Sequence, residues 1–451
     1  MPRSGQISSL RIQILWLNFV TLLICVGCKH QENTSFSNWS RTADTDSANA
    51  KFIEFINTAR QIDLDADMYA SNESVKKQKI VESEYRAKAA KLKKPFIASE
   101  VPKTVVRSVT RRTTYFASDK KVAMSVIGDR RYSLLNIIKM GTKFHHEPEG
   151  LNKDHSYLRG LNIVGNSYIW ELEDAIASEK FDSIQEPAYK ATLLGCFLLG
   201  GSGFDATLGA SLIDQTRVRL ISVVSKLDQN QLSKLAAKLQ SAFKHRPSIT
   251  LALSHERDDM LQALQETQDL YTSKKYSELR KYLGKGCEDS VDQLISLESK
   301  PEKAKDVFDW IGNDINKRSE WRIKRLKNPL EYVEPPTLID RKNWRLLYRY
   351  FGTNLDNLAP LLQTCYARSQ MFILDCYLRK LVKSGKPLPD TLALFSTDSI
   401  RDPFTGKPFY YTKTQTSYLL YSTGEDGVDN LGESLGIQKA PDLTLEKPVS
   451  R

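Results

Sequence analysis

Cysteine and histidine, the usual ligands of zinc, are few in this sequence. The 451 residues include six cysteines and six histidines, with no CxxC pair and no Cys/His zinc spacing. No serine stands in a GxSxG context, and no complete HExxH is present. We therefore do not expect a zinc protein or a serine hydrolase of the familiar kinds, and a non-catalytic role is the leading interpretation.

Two further absences narrow the class of protein. No sequence module for nucleic-acid binding is present, so nucleic acid is not an expected partner. No convincing fixed-period repeat occurs, which argues against a regular solenoid. The sequence does contain a 41% apolar share, enough for a globular core, and a net charge of +11. Such a charge can attract anionic lipid or an envelope polymer, although a solvated basic surface is the plainer explanation.

Long hydrophobic runs are also missing, except at the N-terminus. Elsewhere no apolar run reaches the roughly 20 residues that a membrane-spanning helix needs. At the N-terminus, Arg3 and Arg11 flank a polar segment with no acidic residue, and residues 12–27 are mostly apolar. A basic segment, an apolar segment and small residues before a cleavage point are typical of a secretory signal. We expect residues 1–27 to be a signal peptide or anchor, and the protein to be exported.

The apolar segment ends in "CVGC", Cys25 to Cys28, which resembles the lipobox of bacterial lipoproteins. Val26 and Gly27 are the small residues that precede a lipidated cysteine in that pathway, although Cys25 stands where leucine is usual. The resemblance implies a lipid on Cys28 and anchoring in the cell envelope. Ordinary cleavage, an uncleaved anchor and a buried N-terminal helix are the alternatives.

Four cysteines follow Cys28, and their oxidation state is open. An even number in an oxidising compartment is compatible with disulfides. Cys365 and Cys376 lie in one predicted helix, where eleven residues separate them by roughly 16 Å, too far for a bridge. Either can still pair with Cys196 or Cys287, although buried free thiols are the favoured interpretation.

Helical periodicity along most of the chain, with a few strand-like segments, predicts a mostly α fold with a small β component (α+β). Residues 104–138 are rich in β-branched and aromatic residues and contain the turn-like "DKK" and "GDRR", which predicts a small antiparallel meander. Its third part, "RYSLLNII", fits a helix equally well. The predicted segments are a signal peptide or anchor at 1–27, a polar tether at 28–48, a mixed α/β region at 49–170, a helical domain at 171–385, a β-hairpin region at 386–440 and a tail at 441–451.

Helical periodicity dominates from Glu171 onward. Asp228 stands at an expected helix N-cap, with Gln231 three residues later completing a capping box. A later long helix is predicted with Pro360 near its first turn and Gly385 just past its end. In the helix after Asp228, apolar residues recur on one face, namely Leu232, Leu235, Ala236, Leu239 and Phe243.

The motif "GSGFDA", residues 201–206, has the GxGxxA form of a weak dinucleotide-binding fingerprint. A dinucleotide site would need a preceding strand, and no βαβ series surrounds the motif. We interpret the segment as a break between two helices, in which glycines supply positive φ angles. Ser202 is not expected to be a nucleophile.

Two histidine-containing motifs are candidate metal sites. "FHHEPEGLNKDH" contains His145, His146, Glu147 and His155, which are residue types that bind transition metals. Its Pro, Gly and Asn residues favour a solvated loop instead. "SHERDD" has Asp259 where HExxH would have its second histidine, so we predict an amphipathic helix with ion-paired Glu256 and Arg257.

The C-terminal run "DPFTGKPFYYTKTQTSYLLYSTGEDGVDN" predicts a β-hairpin. Asp402 and Pro403 begin a turn, and Gly406 supplies a permissive φ. "PFYY" and "YLLYS" are strand-like segments on either side of "TKTQTS". The loop "STGEDGVDN" closes the hairpin, with Asp426-Gly427 as its turn signal.

This run resembles the C-terminal signature of a large group of uncharacterised exported bacterial proteins with helical bodies, and residues 180–270 are similar to that group less specifically. The hairpin is also similar to the C-terminal β-region of type II secretion major pseudopilins, in which a Gly-x-Asp-Gly loop helps bind calcium. By that resemblance Asp426 is the best-matched calcium ligand, with Asp402 and Asp429 as neighbours.

The sequence departs from the pseudopilins in two places. No prepilin cleavage site with its following Phe and Glu is present, and Asn430-Leu431 replaces the glycine pair after the loop. The resemblance therefore implies a shared hairpin, not pilus assembly. Calcium needs six to eight oxygen ligands, so a hairpin-closing turn is the favoured interpretation of the acidic loop.

Taken together, these patterns predict an exported, envelope-anchored protein with a binding or scaffolding role and no catalysis. We assign no catalytic residue, metal ligand or cofactor. The expected partners are the membrane, through the N-terminal anchor, and an envelope protein or polymer. An exported enzyme with an unrecognised site and a component of a secretion-like apparatus are the alternatives.

Overall fold

The computed structural model describes residues 47–146, 156–283, 288–329, 345–414, 417–432 and 442–445. The predictions for the signal segment, for lipidation of Cys28 and for the greater part of the tether lie outside the described residues. Two compact units divide the described chain. The first contains residues 47–142 and 156–170, and the second contains residues 143–146 and those from Glu171 onward.

Helices dominate the described chain, which confirms the mostly α class with a small β component. The helices are α1 (Ser47–Lys91), α2 (Ala117–Ile127), α3 (Arg130–Lys139), α4 (Ser156–Ala177), α5 (Gln185–Leu198), α6 (Gly203–Ile221), α7 (Gln229–Phe243), α8 (Ile249–Thr272), α9 (Tyr276–Leu283), α10 (Glu288–Ser296), α11 (Pro301–Lys327), α12 (Arg345–Lys383) and α13 (Thr397–Ile400). The strands are β1 (Tyr410–Lys413), β2 (Tyr418–Ser422) and β3 (Leu443–Thr444).

The first unit is built around the N-terminal half of α1. Phe52 and Phe55 in this half are buried. α4 crosses α1 so closely that a Cβ atom at Gly160 would lie 2.0 Å from the main-chain oxygen of Ala59. Beside this crossing, the buried Asp63 carboxylate accepts a hydrogen bond from the Arg159 guanidinium at 2.6 Å. Only a residue without a side chain permits this approach of the two helices.

The β-meander predicted for residues 104–138 is wrong. Its second and third segments form α2 and α3, and no residue between 104 and 138 lies in a strand. Ala123 and Ile127 of α2 are buried four residues apart, and Leu134 and Ile138 of α3 repeat that spacing. A spacing of four residues places both side chains on one helix face, so burial of that face outweighs the β preference of the Val and Ile residues.

The second unit has a helical core in which α12 packs against α6, α7 and α8. The predicted capping box of α7 is confirmed, because the Asp228 carboxylate accepts from the Gln231 amide at 2.8 Å and the Gln231 side chain accepts from the Asp228 amide at 3.0 Å. All five predicted apolar residues of this helix are buried. The later long helix begins earlier than predicted, at Arg345, so Pro360 lies inside α12.

The predicted C-terminal hairpin is confirmed. β1 and β2 pair in antiparallel fashion, with Tyr410 opposite Tyr421 and Lys413 opposite Tyr418. β3 pairs with the other edge of β2 and completes a three-stranded sheet. This third strand lies in the segment predicted to be a tail. It is not predictable from the sequence, because two residues are too few to show a period.

Candidate functional site

The Asp-Pro-Phe turn before β1 is fixed by a buried carboxylate. Asp402 Oδ1 accepts from the amide of Phe404 at 2.9 Å, and its Oδ2 accepts from the hydroxyl of Ser422 in β2 at 2.8 Å. Burial raises the pKa of Asp402, while these two hydrogen bonds act in the opposite direction. Gln363 of α12 donates to the carbonyl of Pro403 at 2.9 Å. The turn is therefore tied both to the sheet and to the helical core.

The Asp426 and Asp429 carboxylates of the closing loop accept hydrogen bonds from nearby amide and hydroxyl groups. Asp426 Oδ1 accepts from the amide of Val428 at 3.1 Å, which is an Asx turn. Asp429 Oδ1 accepts from the Tyr421 hydroxyl at 2.8 Å and from the Leu431 amide at 2.9 Å. These carboxylates give the loop its shape, as the turn interpretation predicts.

A fourth carboxylate ties β3 to the same loop. Asp442 Oδ2 accepts from the amides of Asn430 at 3.0 Å and Gly432 at 2.8 Å. Within the described ranges, no group of three or more His, Cys, Asp or Glu residues is arranged to hold a metal ion. The structure places Asp402 in the buried turn and Asp426 in the exposed loop.

A cleft of about 550 Å³ lies beside the turn, between the C-terminal end of α11 and residues 401–406. Lys327 and Arg401 place cationic side chains on its wall, and both residues are exposed. Pro329 and Pro403 supply apolar surface. We call this feature the α11 cleft. Sequence reasoning missed it, because its two walls are more than 70 residues apart along the chain.

The closing loop is attached to α11 next to the cleft. Arg325 Nη2 donates to the carbonyl of Glu425 at 3.1 Å, and Arg322 Nη1 lies 3.5 Å from Glu425 Oε1. Both guanidinium groups also lie over the ring of Trp321, that of Arg322 at 4.5 Å from the ring centroid and that of Arg325 at 5.7 Å. The cationic end of α11 thus holds one side of the loop.

The hairpin docks on α12 through buried polar groups. The Tyr418 hydroxyl donates to Asp375 Oδ1, and Arg379 Nε donates to Asp375 Oδ2 at 2.6 Å. Burial and the neighbouring Asp375 carboxylate both raise the pKa of Tyr418. These two hydrogen bonds meet at one buried carboxylate, through which the sheet is joined to α12.

At a second place in the second unit, three segments that are far apart along the chain meet, namely those around His146, Gly200 and His255. His146 stacks on His255 with ring centroids 4.2 Å apart, and His146 Nε2 lies 3.2 Å from Asp259 Oδ1. His255 Nδ1 donates to the carbonyl of Gly200 at 2.8 Å. Burial and the charge of His146 both lower the pKa of His255. We call these residues the histidine cluster.

The histidine cluster bears on two expectations from the sequence. Only 7% of the His146 side chain is exposed, so a fully solvated loop is wrong for this residue. Glu256 is buried and accepts from the amide of Gly203 at 2.5 Å, so it does not lie on the solvated face of an amphipathic helix. The expected ion pair of Arg257 is present, with Asp258 at 2.7 Å. Glu147 and His155 lie outside the described residues.

The glycines of "GSGFDA" serve close packing instead of a positive φ. Gly201 and Gly203 are not among the residues with positive φ. A Cβ atom at Gly201 would lie 2.4 Å from Asp205 Cβ, and one at Gly203 would lie 2.5 Å from Glu256 Oε2. The motif begins α6 and follows α5 instead of a strand, so the structure excludes the dinucleotide interpretation.

The three described cysteines outside the N-terminus are free and buried. Burial raises the pKa of Cys196 to about 12, and it raises the pKa values of Cys365 and Cys376 as well. A thiol that stays protonated at neutral pH is a poor nucleophile. The expectation of buried free thiols is confirmed for these three, and Cys287 lies outside the described residues.

None of the described helices has the length and apolar character that crossing a membrane requires. Comparison with known proteins finds no matching family model, no matching curated protein and no matching solved structure. The likeness to exported bacterial proteins and to the pseudopilin C-terminus therefore stays a prediction from the sequence.

Proposed function

We propose that this protein is exported, is anchored in the cell envelope through a lipid on Cys28, and binds or scaffolds a partner without catalysis. The anchoring half of the proposal depends on the lipobox-like "CVGC" and the apolar segment before it. The binding half depends on the α11 cleft. Its two cationic residues and two prolines suit an extended segment of an envelope protein that carries a carboxylate.

The attachment of the cleft walls supports this proposal. The turn that forms one wall is held by Asp402 and by Gln363, so the wall does not need to order when a partner binds. Preorganisation of this kind lowers the entropic cost of association. The volume of about 550 Å³ is within the range of ligand-binding clefts.

Site-specific photo-crosslinking in the intact envelope tests the binding half. A photoreactive residue replaces Lys327 at the cleft or, as the control, the exposed Glu302 at the opposite end of α11, roughly 38 Å away along the helix. We expect a discrete adduct only from the cleft position, and we expect Arg401→Glu to weaken it. Adducts of equal yield at both positions, or none at the cleft, would refute the assignment.

Metabolic acyl labelling tests the anchoring half. Wild-type protein should incorporate label and remain with the membrane fraction, and a Cys28→Ser variant should do neither. Cys25→Ser is the matched control, since this cysteine precedes the modified position. Label that persists in Cys28→Ser would disprove lipidation at this residue.

A second candidate function, an exported enzyme, is favoured by the histidine cluster. Convergence of His146, His255 and Asp259 is the kind of arrangement from which general acid–base catalysis is built. A panel of chromogenic ester, phosphate and glycoside substrates would test it. Turnover that His255→Gln abolishes, while the fold is retained, supports the enzyme, and equal background in both proteins removes it.

A further inference from the structure

The positive charge of the chain is concentrated in one segment of the first unit. Residues 71–107 contain ten basic and four acidic residues, and so carry +6 of the net charge of +11. This segment, which we call the basic arm, comprises the C-terminal half of α1 and the chain that returns along it. Fewer than one residue in ten therefore carries more than half of the excess charge.

The basic arm is almost entirely at the surface. No residue from 71 to 100 is buried. The returning chain is held along α1 by hydrogen bonds from the Thr104 amide to Gln78 at 2.7 Å and from the Val106 amide to Ser74 at 2.8 Å. The arm is therefore an ordered projection and not a loose loop.

Most of the cations in the arm have no acidic partner. Lys76 pairs with Glu73 at 2.9 Å and Arg86 pairs with Glu82 at 2.7 Å. Across the part of the chain that the structure describes, the other eight have no carboxylate partner, namely Lys77, Lys79, Lys88, Lys91, Lys93, Lys94, Lys103 and Arg107. Their repulsion in the free protein is relieved only by an anionic surface or by counterions.

The tip of the arm keeps a lysine at a position where glycine would be less strained. α1 ends with amide hydrogen bonds from Lys94 to the Ala89 carbonyl and from Lys93 to the Ala90 carbonyl, which is a Schellman motif. Lys93 has a φ of +51° there, and glycine is the usual residue in this left-handed conformation. A cation is thus present at the tip at a conformational cost.

Apolar side chains are exposed among these cations. Leu92 is 57% exposed and Ile97 is 46% exposed, on either side of the Lys93–Lys94 pair. Val75 and Ile80 are exposed farther along α1. A soluble polyanion offers these side chains no apolar contact, whereas the boundary between lipid headgroups and acyl chains accepts both the charges and the apolar groups.

We propose that the basic arm binds the surface of an anionic phospholipid membrane, with its lysines among the headgroups and with Leu92 and Ile97 inserted between them. This contact is a second membrane attachment beside the N-terminal anchor. Two attachments, one lipid and one polybasic, give the stable anchoring that a single acyl chain does not. The inference rests on the proposed envelope location.

Vesicle co-sedimentation with the full-length chain tests the inference. Vesicles are made from phosphatidylcholine alone or mixed with phosphatidylglycerol, and the apolar N-terminal segment contributes to both. Wild-type protein should prefer the anionic vesicles, and added salt should weaken that preference. Replacing Lys88, Lys91 and Lys94 by Gln should lower the anionic partition coefficient about 100-fold, because each cation near the surface contributes about fivefold.

Matched variants separate charge from folding. Replacing Lys303, Lys305 and Lys317 by Gln removes the same charge from exposed positions on α11 and should change binding less than about twofold. Lys93→Gly relieves the backbone strain, so it should keep or raise the melting temperature and still bind about fivefold more weakly.

The apolar part of the contact has its own test. Replacing Leu92 and Ile97 by Ser should weaken binding at every salt concentration, because removal of apolar area is insensitive to screening. Equal binding to both vesicle types, or equal loss in the arm and control triples, would overturn the inference. Tight binding to soluble polyglutamate that the Ser variant leaves unchanged would identify a polymer partner and also overturn it.

The two proposals fail in different measurements. Absence of acyl label on Cys28 would remove the lipid anchor and leave the charge-dependent vesicle binding intact. Absence of charge dependence would remove the arm contact and leave acyl labelling intact.

Discussion

Removal of one hydroxyl group should loosen the C-terminal sheet. In Tyr418→Phe, the buried ring stays in place, while Asp375 Oδ1 loses the donor that joins β2 to α12. Arg379 still binds the other carboxylate oxygen at 2.6 Å. The substitution therefore separates the hydrogen bond between sheet and helix from the packing of the ring.

The expected cost is that of a hydrogen bond to a buried charged group, about 1.5 to 3 kcal/mol. The carboxylate is buried, so water does not replace the lost donor without opening the contact. A cost of about 2 kcal/mol raises the open fraction of the sheet roughly 30-fold. Opening of the sheet alone is sufficient, and the helical core need not unfold.

Native-state hydrogen exchange measures this opening directly. Amides in the β1–β2 ladder should exchange roughly 30-fold faster in Tyr418→Phe, and amides of α7 should be unchanged. Tyr410→Phe is the matched control on the neighbouring strand, since its exposed hydroxyl has no hydrogen-bond partner among the residues that the structure describes. We expect the control to change exchange by less than about twofold.

Equal exchange in the two variants would refute the reasoning, because it would show that the Tyr418 hydroxyl does not hold the sheet. A double-mutant cycle with Asp375→Asn gives a second check. The two substitutions should be non-additive by about 0.5 to 3 kcal/mol if the side chains act together.

Three further predictions concern other parts of the chain. Gly160→Ala should destabilise the first unit by about 3 kcal/mol in denaturant unfolding, because its Cβ would lie 2.0 Å from a main-chain oxygen of α1. Gly312→Ala, where no atom lies nearer than 3.5 Å, should be tolerated. Since the pKa of His255 is lowered in the folded protein, the unfolded chain is protonated first, and stability should fall as the pH drops below about 6.5, less so in His255→Gln. Asp426→Asn keeps the Asx acceptor and should leave melting unchanged with or without calcium, and a calcium-dependent rise that this variant abolishes would instead show a metal ligand.

Local signals in the sequence predicted local structure well. The capping box of Asp228 and Gln231 involves residues three apart, and the hairpin strands are joined by a short connection. Such contacts depend on neighbouring residues alone, so one sequence is sufficient to predict them. At residues 104–138 composition favours strands, whereas the four-residue spacing of Ala123 and Ile127 indicates a helix, and the structure agrees with the spacing.

Contacts between distant segments were not predictable in this way. His146 and His255 are 109 residues apart, and neither motif contains a signal for the other. Gly203 was expected to supply a positive φ because its true requirement, the nearby carboxylate of Glu256, is 53 residues away. Residues that meet through tertiary packing leave no period or spacing in the chain, and most of the candidate site is of this kind.

The polar contact beneath the hairpin also bears on the order of folding. Asp375 and Arg379 are four residues apart, so one turn of α12 must form before they present a paired carboxylate. Tyr418 reaches that carboxylate from 43 residues farther along the chain. Closing so long a loop has an entropic cost that is repaid only when its target exists. We expect α12 to form first and the C-terminal sheet to be the last element of its unit to close.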